Sequence, residues 1–76
     1  MDVKEEIGLR IKTLRVDFQL TQEKLSYASG VDKTYISEVE NGKRNISIVN
    51  LNKLINALNL SFSEFFNTPN FKEKVC

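Results

Sequence analysis

The chain has 76 residues, with 11 basic and 10 acidic side chains and a net charge of +1, which predicts one small domain over residues 1–76. No apolar run is long enough to span a membrane, and the charged start from Met1 to Glu6 does not resemble a signal peptide, so we expect a cytoplasmic protein. The chain has no histidine, and it shows no glycine-rich or metal-binding motif, so we expect no enzyme, no metal and no cofactor. Cys76 is the chain's single cysteine, so it cannot form an internal disulfide. It is either a residue without a role or the site of a disulfide crosslink between two subunits.

The predicted elements are five helices and no strand, which gives an all-α fold. Helix 1 is expected over about Val3–Asp17, with Asp2 as its N-cap and Glu5 completing a capping box. Its apolar residues recur at steps of three and four and form one stripe: Ile7, Ile11, Leu14 and Phe18.

Two short helices follow around a turn at Gly30. The first, Gln22–Ser29, begins after Thr21, and the second begins after Asp32 and runs to about Glu40. Thr21 and Asp32 are good N-caps, and glycine suits a left-handed helix end. The side chains expected to point inward are Leu25 and Ala28 on the first helix and Ile36 and Val39 on the second.

Two further helices complete the predicted fold. Ser47 is expected to cap helix 4, and Ser61 with Glu64 is expected to form a capping box for helix 5. Pro69 marks the exit from helix 5, and residues 67–76 are predicted to be a loose tail. The apolar face of helix 4 is expected to comprise Ile48, Leu51, Leu54, Ile55 and Leu58.

The helix-turn-helix segment, residues 22–41, carries the strongest functional signal. Ser26 is small where the two helices would cross, Gly30 tolerates positive φ, and Ile36 would anchor the second helix. The second helix also has an exposed face, and such a face on a supported helix is typical of one placed in a DNA groove. The residues expected to contact bases are Lys33, Thr34, Tyr35 and Ser37.

The loop after this segment is rich in basic and amide side chains. Asn41, Lys43, Arg44 and Asn45 are expected to contact DNA phosphates. Glu38 fits this hypothesis least, because phosphates repel a carboxylate. It could accept a hydrogen bond from cytosine or simply pair with a lysine.

Several short motifs match one known family. They are L-R at Leu14-Arg15, T-Q-x-x-L at Thr21–Leu25, G-V at Gly30-Val31, Y-I-S at Tyr35–Ser37 and E-x-G at Glu40–Gly42. Together they resemble the phage-repressor/Cro-like helix-turn-helix proteins, also called the xenobiotic-response-element family, over about Ile7 to Phe66. Within that family the string D-K-T-Y-I-S-E-V-E-N-G-K-R-N-I-S, residues 32–47, is most similar to restriction–modification controller proteins.

The resemblance implies a compact five-helix, lambda-repressor-like domain that regulates transcription. Its partners would be double-stranded DNA with a pseudo-palindromic operator and a second copy of the chain, with RNA polymerase a further candidate. The resemblance also implies a phosphate contact from Gln22, a buried structural ion pair between Arg15 and Glu40, and a free Arg10 facing a phosphate. Ser26 stands where alanine is usual in the family, and its hydroxyl is expected to bond back to Gln22.

Phenylalanines near the end of the chain suggest a two-fold interface. They offer more aromatic surface than so small a core can hide. We therefore predict that Phe62, Phe65 and Phe66 line a dimer interface, while some of them also complete the core.

Other functions stay open at this point. A phage-type repressor or an antitoxin-like regulator would use the same DNA-binding surface. A protein-interaction module without DNA binding is compatible with the near-zero net charge.

Overall fold

Six helices and their connections make up residues 2–72, the part of the chain described by the computed structural model. In chain order the helices are α1 (Val3–Asp17), α2 (Gln22–Ser29), α3 (Lys33–Glu40), α4 (Ile48–Ala57), α5 (Phe62–Phe65) and α6 (Pro69–Lys72). Residues 2–72 contain no strand, which confirms the predicted all-α fold. None of their helices combines the length and the apolar character needed to cross a membrane. Cys76 lies outside the described residues.

Polar caps set the starts of the first five helices, as the sequence predicts. The side chains of Asp2, Thr21, Asp32, Ser47 and Ser61 each accept a hydrogen bond from a backbone N–H in the first turn. The capping boxes of α1 and α5 are both complete. Each cap satisfies a donor that the helix itself leaves unpaired, so these boundaries are determined by residues close in sequence.

Three helices end in the same kind of left-handed turn. The left-handed residues are Gln19 (φ 59°) after α1, Gly42 (φ 74°) after α3 and Asn59 (φ 59°) after α4. In each case the next N–H bonds a carbonyl five residues earlier: Leu20 to Arg15, Lys43 to Glu38 and Leu60 to Ile55. This is the Schellman arrangement, which turns the chain sharply and satisfies carbonyls at the helix end.

The core lies where α1 packs on α3, α2 packs on α3 and α4, and α4 packs on α5. Its buried side chains are Ile11, Leu14, Leu25, Val31, Ile36, Val39, Leu51, Leu54, Ile55, Leu58 and Phe65. The contact between α1 and α3 is very close at Gly8. A Cβ on Gly8 would collide with the Val39 carbonyl oxygen, so these two helices touch backbone to backbone.

Three apolar residues expected to point inward are exposed instead. Phe18 is 46% exposed because it follows the last turn of α1, where the chain leaves the helical path. Ile48 is 72% exposed at the first position of α4, beyond the buried Leu51. Ala28 is exposed because α2 buries only Leu25 among its own residues.

Two local expectations are also wrong. Pro69 does not mark an exit but begins α6, because a proline at the first helical position has no N–H to lose and the right φ to start a helix. The Ser26 hydroxyl does not bond back to Gln22. It donates to the Val31 carbonyl at 2.6 Å and closes the turn between α2 and α3.

Candidate nucleic-acid interface

The first turn of α3 presents a polar face on a buried support. Ile36 and Val39 are buried in the core, while Lys33 and Thr34 are exposed and Ser37 is half-buried. Lys33 Nζ lies 3.3 Å from Glu23 Oε1 of α2, and both side chains are largely exposed. The face therefore has the predicted position, but its lysine already has an acidic neighbour.

Tyr35 is half-buried and joins α3 to the start of α4. Its hydroxyl accepts a hydrogen bond from the Ser47 N–H at 3.2 Å, and the Arg44 guanidinium lies over its ring, 4.6 Å from the centroid. Burial raises the pKa of Tyr35, but hydrogen bonds with Asn50 and Ser47 and the Arg44 charge outweigh burial, so the pKa lies below its ordinary value. Arg44 thus covers one face of the Tyr35 ring.

Glu38 has an arginine as its partner. Arg44 Nη1 lies 2.6 Å from Glu38 Oε1, and the two side chains are 50% and 42% exposed. The sequence left two roles open for Glu38, a contact with cytosine or an ion pair with a lysine. The structure shows an ion pair, with Arg44 in place of the expected lysine. The two residues are six positions apart, and the turn at Gly42 brings them together.

A buried ion pair fixes α1 to α3. Arg15 donates to Glu40 from Nε (2.7 Å) and Nη2 (3.0 Å), and its Nη1 donates to the Leu20 carbonyl (2.7 Å). The two side chains are only 12% and 2% exposed. Hydrogen bonding to Glu40 raises the pKa of Arg15; burial opposes this shift and the Glu40 charge adds to it. The structural ion pair implied by the resemblance is present.

Gln22 belongs to the same network. Its amide nitrogen donates to Glu40 Oε1 at 3.1 Å, so the side chain expected to contact a phosphate is held at the start of α2 by a buried carboxylate. The network thereby positions the α2 N-terminus relative to α3.

Arg10 is not the free basic residue that the sequence predicts. Its Nε donates to the Phe65 carbonyl at 2.7 Å and its Nη2 to the Glu64 carbonyl at 3.1 Å. Both carbonyls lie in the last turn of α5, where carbonyls have no partner further along the helix; the Glu64 carbonyl also accepts from the Asn67 N–H. Arg10 therefore anchors α5 to α1, a tertiary role that no pattern in the sequence indicates.

The loop after α3 keeps its predicted exposure. Asn41, Lys43, Arg44 and Asn45 are all exposed, and after the left-handed Gly42 the chain returns far enough for Arg44 to reach Glu38 on α3. Sequence reasoning identified these residues but missed that Arg44 covers Tyr35 and pairs with Glu38, because no short spacing rule links them.

The predicted phenylalanine interface needs one correction. Phe65 is fully buried and stacks edge-on against Phe66 at 4.9 Å, so it belongs to the core and is not available to a partner. Phe62 is 37% exposed. A groove of about 400 Å³ lies between the end of α1 and the end of α4, and its mainly apolar lining residues are Phe18, Leu20, Ala57, Leu58, Asn59 and Leu60.

Comparison with known proteins identifies the family to which this fold belongs. A family model described as helix-turn-helix matches residues 11–65. The chain belongs to the helix-turn-helix family. This helix-turn-helix protein is 42% identical to the control protein C.MunI of a Mycoplasma species over 66 residues, which are 86% of this chain and 89% of that protein.

Solved structures of controller proteins have the same helix-turn-helix fold. The restriction–modification controller protein C.AhdI from Aeromonas hydrophila superposes with a TM-score of 0.79 at 41% identity, covering 83% of this chain and 96% of that one. The C.Esp1396I controller, solved as a tetramer with its natural 35-base-pair operator, gives a TM-score of 0.82 at 35% identity and 87% coverage of each chain. The predicted resemblance to controller proteins is confirmed.

Proposed function

We propose that this helix-turn-helix protein is a cytoplasmic transcriptional regulator, not an enzyme, and that it controls a restriction–modification system. It would bind a pseudo-palindromic operator as a homodimer. The observation that carries the proposal is the α3 face, held on a buried Arg15–Glu40 pair and flanked by a basic loop. Likeness to controller proteins over most of the chain supports it, and one of them was solved on its operator.

The proposed roles follow from exposure and position. Lys33, Thr34 and Ser37 would contact base edges from the major groove, with Tyr35 at the edge of that contact. Gln22 and the loop residues Asn41, Lys43, Arg44 and Asn45 would contact phosphates. Arg10 has no place in this set, because its guanidinium is committed to α5.

For dimerisation we propose the exposed apolar surface at the end of α4. Phe62 and Phe66 would extend the groove that begins at Phe18, and a symmetric contact there would cover all three side chains. Contact with RNA polymerase would be a further step, needed only if the bound dimer activates transcription.

Selection from a library of random DNA duplexes tests the proposal without a known operator. We expect enrichment of a pseudo-palindrome whose half-sites lie about 10 base pairs apart, since two recognition helices of a dimer dock about one DNA turn from each other. Affinity should fall steeply with added salt, because phosphate contacts release counterions. Absence of any duplex binding at low salt would refute the proposed function.

A substitution then separates base contact from phosphate contact. Lys33→Ala should weaken binding to the selected duplex more than binding to random DNA, as expected for a residue that reads a base. Equal losses on both would assign Lys33 to a phosphate.

A further inference from the structure

Two acids lie among the cations of the proposed DNA-binding surface. Glu23 pairs with Lys33 at 3.3 Å and Glu38 pairs with Arg44 at 2.6 Å, and all four side chains are at least 42% exposed. In the free protein, two of the cations available to DNA are therefore already neutralised. This inference rests on the proposed function.

Glu38 lies on the face that would enter the groove. It comes four residues after Thr34 in the same helix, so the two side chains share one side of α3. Helix α3 contains two acids, Glu38 and Glu40. Glu40 is buried against Arg15, so Glu38 is the acid of α3 that is exposed to solvent. An anion is thus presented toward DNA one turn beyond Thr34 and directly after Ser37, two of the proposed base contacts.

Arg44 is held in place by two contacts. Its guanidinium bonds Glu38 and covers the Tyr35 ring at 4.6 Å, and the Tyr35 hydroxyl is in turn fixed by the Ser47 N–H. A DNA phosphate must compete with the Glu38 carboxylate for this guanidinium. If Arg44 moves to the phosphate, Glu38 is left facing DNA without its cation.

The outcome of that exchange depends on the base that Glu38 meets. Cytosine and adenine offer amino donors in the major groove, and a carboxylate accepts well from cytosine N4. With such a donor, Glu38 exchanges Arg44 for the base while Arg44 moves to the phosphate, and both charges stay satisfied. Where the base has no amino donor, one of two costs remains. Either Glu38 stays unpaired near the phosphates, or it retains Arg44 and the phosphate loses that contact.

We infer that Glu38 is a specificity-determining residue that disfavours DNA lacking an amino donor at its position. Random DNA is bound almost entirely through phosphates, so it bears the full electrostatic cost of Glu38. The cognate operator recovers that cost through the base contact. The acid on the DNA-facing surface thereby increases the ratio of specific to random affinity.

The experiment compares wild type, Glu38→Gln and Glu64→Gln on two duplexes, the selected operator and a random sequence of the same length. Glu64→Gln changes the net charge equally, lies in α5, and keeps its capping box because glutamine serves there as well. Binding is measured by fluorescence anisotropy over a series of salt concentrations, and the dimer is checked by sedimentation.

Glu38→Gln should raise affinity for random DNA about threefold per subunit, or about tenfold per dimer, which is the range of an exposed charge interaction. Its salt dependence on random DNA should steepen by about one counterion per subunit, because Arg44 is released. Affinity for the operator should rise less than twofold, and Glu64→Gln should change the ratio of the two affinities by less than twofold.

Two results would overturn the inference while the proposed function stands. One is an equal gain on both duplexes, which would make Glu38 a simple contributor to net charge. The other is unchanged affinity for random DNA. Failure of the wild type to bind either duplex at low salt would instead refute the proposed function itself.

Discussion

Replacing Gly8 by alanine tests whether the backbone contact between α1 and α3 is as close as the structure has it. An added Cβ would collide with the Val39 carbonyl oxygen and lie 3.1 Å from the Val39 carbonyl carbon and 3.3 Å from that of Glu40. Carbon atoms in good contact lie about 3.5–4.0 Å apart. The obstacle is helix backbone, which cannot rotate away as a side chain can, so α1 and α3 must separate.

Two effects of opposite sign then compete. Alanine is favoured over glycine inside a helix by about 1 kcal/mol. Overpacking costs about 1–3 kcal/mol, and a rigid backbone obstacle favours the upper end. We therefore expect a net loss of about 2 kcal/mol in the free energy of unfolding. For a domain of this size that loss lowers Tm by about 8–16 °C.

Thermal unfolding followed by circular dichroism, at one fixed protein concentration, measures the effect. Thr13→Ala in the same helix is the matched control, because Thr13 is exposed and alanine there should stabilise slightly by propensity alone. Operator affinity of Gly8→Ala should also fall, since α3 moves. A Gly8→Ala protein as stable as wild type, or more so, would refute the reasoning.

The remaining predictions concern the ion pair, the helix ends and the phenylalanines. Arg15→Met should lower the free energy of unfolding by about 3–5 kcal/mol, because it leaves the buried Glu40 carboxylate without its cation and with Gln22 as its remaining side-chain donor. Arg15→Met/Glu40→Met should recover most of that loss in urea titrations. A single substitution without effect on stability would contradict the burial of the pair. Gln19→Gly should stabilise by about 1 kcal/mol and Asn59→Gly by less, since both residues are left-handed but asparagine tolerates that conformation better; an equal gain at both sites would be unexpected. Phe65→Ala should cost about 3–5 kcal/mol by leaving a cavity, whereas Phe62→Ala should keep the fold and weaken dimerisation in sedimentation. A folded dimer unaffected by Phe62→Ala would move the interface elsewhere.

The helices could be predicted from the sequence because their signals are local. Thr21, Asp32 and Ser47 each directly precede a segment whose apolar residues recur at helical spacing. An N-cap bonds a backbone N–H in the first turn, so residues close in sequence determine where the helix begins. The Arg15–Glu40 pair was available only through the family resemblance, since 25 residues separate the two side chains. Residues close in sequence thus determine where the helices lie along the chain. The Arg15–Glu40 contact between α1 and α3 was predicted from the family resemblance.

Pro69 and Ser26 were misassigned for local reasons, whereas tertiary packing decided the other errors. Phe18 and Ile48 continue apolar stripes but lie just beyond the surface against which their helices pack. Arg10 is basic and half-exposed, yet it donates to two carbonyls in the last turn of α5, 54 and 55 residues away in sequence. The close contact at Gly8 was not predicted, although a glycine inside a helix costs stability and close packing is one reason for its presence.

The enclosure of Tyr35 gives the protein a built-in optical reporter. The chain has two tyrosines and no tryptophan, and Tyr27 is 93% exposed on α2 while Tyr35 lies under Arg44. In a Tyr27→Phe variant Tyr35 would be the sole tyrosine, and its emission is isolated by exciting at a wavelength that phenylalanine does not absorb. Its intensity would then follow the departure of Arg44 in real time, so the rate of operator engagement could be recorded without attaching a dye.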